Sequence, residues 1–190
     1  YQQTIDQWRR YGAKPAGDAA EFAADAAFQL TEKKLETFLK ITIQGSLTSI
    51  PKKSKDMATR AAALKKEYEA IWMYKRARWT LAAMYRSGTI FEHFAKTMDG
   101  AYRKAPIPKQ VTRLGQEAID IYMTQVDQVL VQEVDPLVNQ AKSLYSSCIQ
   151  KAREMGVSNK YTEEALVRLN AFDPVTYPLL KRAKVEYGLE

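Results

Sequence analysis

His93 is the only histidine and Cys148 the only cysteine in the chain, which narrows the chemistry its side chains could perform. A Ser-His-Asp triad would depend wholly on His93, and a metal site would have to be dominated by carboxylates. His93 falls between Phe91 and Phe94 on a helix edge, where a packed or surface imidazole is the plainer reading. Cys148 has no partner for an internal disulfide, and its place among small residues suits an inert buried thiol better than a reactive one. The 8 glycines are scattered, so no loop is built to cradle phosphate. Glu163 and Glu164 sit near a helix start, where acidic residues complement the positive end of the helix dipole. The sequence therefore reads as a non-enzyme, with no catalytic residues and no metal, cofactor or small-molecule ligand expected.

Charge supplies the other candidate chemistry. The net charge is +7, and Pro51 to Arg78 alone contributes +6: Lys52, Lys53, Lys55, Arg60, Lys65, Lys66, Lys75, Arg76 and Arg78 outnumber Asp56, Glu67 and Glu69. Between Arg113 and Lys142 no basic residue occurs, while Glu117, Asp120, Asp127, Glu133 and Asp135 bring that stretch to −5. Segments of opposite sign can pair inside a fold, steer an oppositely charged partner or keep a surface solvated. Trp72, Tyr74 and Trp79 accompany the basic segment, a combination that suits nucleic acid. Lys55, Arg60, Lys66 and Arg76 do not share one helical stripe, however, and the aromatic spacing fits a core better than a stacking platform.

The elements that must position these residues follow from periodicity. At 190 residues, 46% hydrophobic and 27% charged, the chain is one domain or two small ones, able to bury roughly 70% of its unfolded surface. No apolar run approaches the roughly 18 to 20 residues that span a bilayer, so direct membrane insertion is not expected. The chain begins at Tyr1 and is expected to be part of a longer protein, with any export signal upstream. Helices are predicted over Gln2 to Tyr11, Asp18 to Ile43, Lys53 to about Tyr74, and Trp79 to Lys96. Asp99 to Pro108 reads as a loop, followed by helices over Lys109 to Val134, Pro136 to Met155 and Thr162 to Asn170, the last capped by Thr162 or Asn159. Gly156 is a left-handed stop, and Asp173-Pro174 with Tyr177-Pro178 opens a short terminal helix ending near Gly188. Leu39 to Leu47 is the best strand candidate and is discounted. Residues 1–50 form N-terminal helices closing an upstream repeat region, and residues 51–190 form the main helical domain, alone or continuous with 1–50.

Two helices carry halves of a repeat signature. Met84, Ser87, Gly88 and Phe91 follow the large, small, small, aromatic spacing of the first helix of a tetratricopeptide repeat. Ala141, Tyr145 and Cys148 follow the small, aromatic, small spacing of the second. The halves are separated by the segment from about Asp99 to Asp135, so the repeat would carry a large helical insertion. Small residues let two helix backbones approach, but the same residues at helical spacing occur in any packed α-protein.

A longer string extends the signal: EYEAIWMYKRARWTLAAMYRSGTIFEHFAKTM (Glu67 to Met98), then APIPKQ, LGQEAIDIYMTQVDQ, VSNKYTEEALVRLN and DPVTYPLLKRAKVEYG. In this order, over about Met57 to Glu190, the chain resembles the C-terminal region of large tetratricopeptide-repeat proteins of myxobacteria and their relatives, including periplasmic components of the gliding-motility machinery. The insertion and the missing proline near Arg153 depart from the general repeat pattern. The resemblance implies an all-α, helical-hairpin superhelix of tetratricopeptide type with a helical insertion. It further implies a periplasmic scaffold that holds other proteins of an envelope complex together.

In such a superhelix the first helices line a concave groove, which nominates Tyr85, Thr89, Glu92 and Lys96 as partner contacts. The basic residues Lys52, Lys53, Lys65 and Lys66 form a second candidate surface. The alternative function is polyanion binding, to nucleic acid or an anionic membrane, through the basic helix 52–78, with an affinity that falls steeply with salt.

Overall fold

Every regular element among the described residues is helical. The computed structural model describes residues 1–179. The helices are α1 (Gln2–Arg10), α2 (Asp18–Phe38), α3 (Ile50–Ala70), α4 (Ala77–Arg103), the short α5 (Lys109–Arg113), α6 (Gln116–Glu133), α7 (Asp135–Met155) and α8 (Lys160–Phe172). A 3₁₀ turn, Ile71–Tyr74, joins α3 to α4. Lys75 takes a left-handed conformation there (φ 53°), and this breaks the long basic-to-apolar run within the interval the sequence assigns to the break.

The axis of the fold is α4. Leu81, Ala82, Ala83 and Ile90 are fully buried, as an apolar run on a central helix must be, and α2, α3, α6, α7 and α8 all pack against it. One core cluster runs from Ala20 on α2 to Leu169 on α8 and includes Ile43, Ile50 and Met57, so residues on both sides of position 50 share it. The tightest contact is between α4 and α7. A β-carbon placed on Gly88 would lie 2.5 Å from Cε1 of Tyr145, and Cys148 Sγ donates to the Leu81 carbonyl at 3.4 Å. The residues of the two half-motifs thus meet in space, with α5 and α6 between them in sequence and α6 laid against both α4 and α7.

Several predicted boundaries move, each for a local reason. Helix α2 stops at Phe38 instead of Ile43. Ile41, Thr42 and Ile43 are β-branched and lose side-chain freedom in a helix, and Ile43 reaches the core from the loop instead. Helix α4 runs through the expected loop to Arg103. Buried Met98, Ala101 and Tyr102 continue its apolar face, and Arg103 pairs with Asp99 at 2.8 Å, which together outweigh the weak propensity of Gly100. The predicted helix Lys109 to Val134 breaks at Leu114 and Gly115, where Gly115 adopts φ 96°. Helix α7 closes at Gly156 in the left-handed region, as predicted.

At the start of α8, Asn159 is the cap. Its Oδ1 accepts from the backbone N–H of Tyr161 and Thr162, while the Thr162 hydroxyl accepts from the Asn159 N–H. After α8 the chain turns, with Asp173 Oδ1 accepting from the backbone N–H groups of Val175 and Thr176. The rest of the predicted terminal helix, to near Gly188, lies outside the described residues.

Candidate partner-binding surfaces

The face of α4 that the sequence nominates as a groove is covered. Tyr85 is 4% and Glu92 8% exposed, Thr89 is half-buried, and only Lys96 reaches solvent. Helix α8 lies across Tyr85, whose ring stacks between Tyr145 and Tyr161 at centroid distances of 5.6 and 6.0 Å. Burial, and next the Glu164 carboxylate beside its hydroxyl, push the Tyr85 phenol above its ordinary range. These residues do not line an open concave surface, because α7 and α8 fold back over the helix that would present them.

What they build instead is an internal polar junction. Tyr145 Oη on α7 donates to Glu92 Oε2 at 2.7 Å, Lys96 Nζ pairs with Oε1 at 2.6 Å, and Arg168 on α8 approaches Oε1 at 3.5 Å. Burial pushes the Glu92 carboxyl up, but hydrogen bonds from Lys96 and Tyr145 outweigh it and hold the group below the usual carboxylate range. The Tyr145 phenol is pushed up, by burial first and then by the bond to Glu92, and so stays a donor. Two further junctions follow the same rule that a buried charge must be paired. On α2, Glu32 accepts from Tyr68 and pairs with Arg86 at 2.8 Å, while Glu21 holds Arg76 and accepts from Trp79 Nε1 at 2.8 Å. The sequence carries a signal for this role of Glu92. A carboxylate one position after Phe91 and three before Ala95 on an apolar helix face requires an internal partner.

His93 packs edge-on against Phe38, with ring centroids 5.6 Å apart, and its Nε2 lies 3.5 Å from Thr97 Oγ1. Burial, opposed by a hydrogen bond to the Ile41 backbone, depresses its pKa. Cys148 is fully buried, and burial pushes its thiol up to about 12. Among the described residues no three His, Cys, Asp or Glu side chains gather closely enough to hold a metal ion.

The second nominated surface is divided. Lys52 and Lys66 are exposed. Lys53 donates to the Gln44 carbonyl, and half-buried Lys65 pairs with Glu69 on its own helix. With Met57, Ala61, Leu64 and Tyr68 facing inward on α3, the opposite face presents Lys52, Lys55, Thr59, Ala62, Lys66 and Ala70. Between α2 and α3 lies a groove of about 360 Å³, floored by Phe38, Ile41 and Leu64 and rimmed by Lys33, Lys34 and Arg60.

Helix α6 meets the core through a narrow contact. Only Tyr122, Val126 and Leu130 are buried, in a narrow i, i+4, i+8 stripe. Ile121 (56% exposed) and Val131 (62%), and Leu114 (77%) just before the helix, stand in solvent beside Glu117, Asp120 and Asp127. No helix among the described residues is long and apolar enough to cross a membrane. No protein-family model, no curated protein and no solved structure significantly matches the chain.

Proposed function

We propose that this chain is a protein–protein interaction scaffold of tetratricopeptide-like helical hairpins, working in the periplasm within a cell-envelope or gliding-motility assembly. The observation that carries the binding role is α6, a helix held by one narrow stripe that turns Ile121 and Val131 outward in an acidic setting, with Leu114 exposed just before its start. Exposed aliphatic groups ringed by charge are the composition of a partner site. The pairing of Gly88 with Tyr145 across α4 and α7 supports the hairpin reading, and the sequence resemblance supports the compartment and the assembly. The buried state of Tyr85 and Glu92 moves the proposed contacts off that face of α4 and onto the outward faces of α3 and α6.

A second reading rests on the outward lysines of α3. Lys52, Lys55 and Lys66 share one exposed face, which fits a polyanion and predicts steeply salt-dependent binding. Affinity capture from an envelope extract of the source cell, at low and moderate salt, separates the two. The bait is the native chain beside a Lys52→Glu, Lys53→Glu, Lys65→Glu, Lys66→Glu variant. A defined envelope protein retained in stoichiometric amount at moderate salt is the expected result. Recovery of only salt-labile nucleic acid or lipid would replace the scaffold reading with the second one.

A further inference from the structure

We infer that the outward face of α3 in one copy of the chain docks on the outward face of α6 in a second copy. The proposal deepens the scaffold reading above and rests on its premise that these faces bind protein. On α3 the outward positions Lys52, Lys55, Thr59, Ala62 and Lys66 are spaced three, four, three and four residues apart. On α6 the outward positions Glu117, Asp120, Thr124, Asp127 and Val131 repeat that spacing. Alternating three- and four-residue steps keep a stripe on one side of a helix for its whole length, the condition for two helices to lie side by side. Both stripes run over fourteen residue steps, about 21 Å of helix. One presents lysines with a small residue between them, and the other presents carboxylates ending in an exposed valine.

The described residues leave both stripes almost without ion pairs. Among the described residues Lys52, Lys55, Lys66, Glu117 and Asp120 have no ion-pair partner, and Asp127 meets only Arg103 at 3.9 Å. Helices α3 and α6 do not touch, because α4 lies between them. The two stripes cannot meet inside one molecule, so their complementarity is available only between molecules. Such a contact is heterologous: each copy offers one α3 face and one α6 face, and repetition gives a ring or an open filament. Exposed charge pairs are individually weak and screened, so the association is concentration-dependent and salt-sensitive.

The test is sedimentation velocity across a concentration series at low salt (~20 mM) and at ~300 mM, where the Debye length has shrunk several-fold. Four forms are compared. They are the native chain, the α3 variant Lys52→Glu/Lys55→Glu/Lys66→Glu, the α6 variant Glu117→Lys/Asp120→Lys/Asp127→Lys, and the sixfold swap, which keeps the net charge at +7. Circular dichroism establishes that each is folded. The native chain is expected to gain mass with concentration at low salt and lose at least tenfold in affinity at high salt. Each triple variant alone should stay monomeric, while an equimolar mixture of the two, and the sixfold swap alone, should regain association. A native chain that stays monomeric throughout, triple variants that still associate, or a folded sixfold swap that does not would each overturn the proposal. None of these failures touches the scaffold reading, which the capture experiment tests without self-association.

Discussion

The ring of Tyr145 on α7 lies against the bare Cα of Gly88 on α4, close enough that a β-carbon at Gly88 would stand 2.5 Å from Cε1 and 2.7 Å from Cδ1. Both residues are buried, and the ring has no free direction in which to swing, since its hydroxyl is tied to Glu92. Gly88→Ala should therefore destabilise the domain even though alanine is the better helix former. Overpacking costs about 1–3 kcal/mol, and the helical gain offsets about 1. Gly100→Ala is the matched control, because it lies in the same helix with nothing within 4 Å of its would-be β-carbon. It should stabilise by about 0.5–1 kcal/mol. Urea unfolding of the pair reads the contact directly, and equal responses would mean that the α4–α7 approach is looser than described.

The residues of that contact were legible in the sequence by type and spacing, Gly88 and Ser87 on one helix and Ala141, Tyr145 and Cys148 on another, but the spacing did not say that Gly88 would meet α7 and not the preceding helix. The start of α8 at Asn159 and the stop of α7 at Gly156 were legible for similar reasons, since each is a local signal read by local backbone, whereas α2 starts at Asp18 with Gly17 as its cap and the stop at Lys75 comes from a left-handed residue that no side-chain type announces. What periodicity could not supply is which apolar residues a neighbour covers. Ile121 and Tyr122 are adjacent and both apolar, yet α6 is turned so that Tyr122, Val126 and Leu130 face inward and Ile121 stands in solvent. Tyr85 and Glu92 were placed on an open face of α4, but Tyr145 of α7 covers both and α8 completes the cover. In both helices burial is decided by elements distant in sequence.

Glu92 gives the domain an acid limit. Its carboxyl sits below the usual range in the folded state, so folding favours the ionised form, and stability rises with pH wherever the unfolded chain binds more protons. The contribution is in place above the unfolded carboxylate pKa and is lost as pH falls through the folded one. Glu92→Gln should lower stability at neutral pH by about 1–3 kcal/mol and flatten the acid limb of the profile. Tyr145→Phe removes one donor and should produce a smaller version of the same change. Unfolding midpoints at about pH 7 and about pH 3.5 measure the difference, and an unchanged acid limb in both variants would show that the junction is not ionised in the fold.

Cys148 reports on the opening of the α4–α7 contact. The thiol is fully buried, raised by desolvation to about 12 and directed at the Leu81 carbonyl, so at neutral pH it is neither ionised nor reachable. A disulfide-exchange reagent should label the native domain at least ~100-fold more slowly than the urea-unfolded chain, because reaction waits for the helices to separate. Gly88→Ala, by weakening the same contact, should raise the native labelling rate, whereas Gly100→Ala should not. Fast labelling of the native domain would place Cys148 outside the core.

The binding proposals depend on the rotation of α6 about its own axis, which two valines on that helix can fix. Val126 is 2% and Val131 62% exposed, and they are separated by five residues, which sets them on different sides of the helix. Val126→Ala removes buried methyl groups from the core and should cost about 1–3 kcal/mol. Val131→Ala should change stability by no more than about 0.5 kcal/mol, with the helix propensity of alanine favouring a small gain. If the ranking were reversed, α6 would pack by its acidic side. Glu117, Asp120 and Asp127 would then have to find partners inside the fold, and the outward stripe that α3 is proposed to meet would not exist. Thermal unfolding of these two variants is accordingly the least costly check, and it precedes any experiment on association because that result has meaning only once the exposed face of α6 is known.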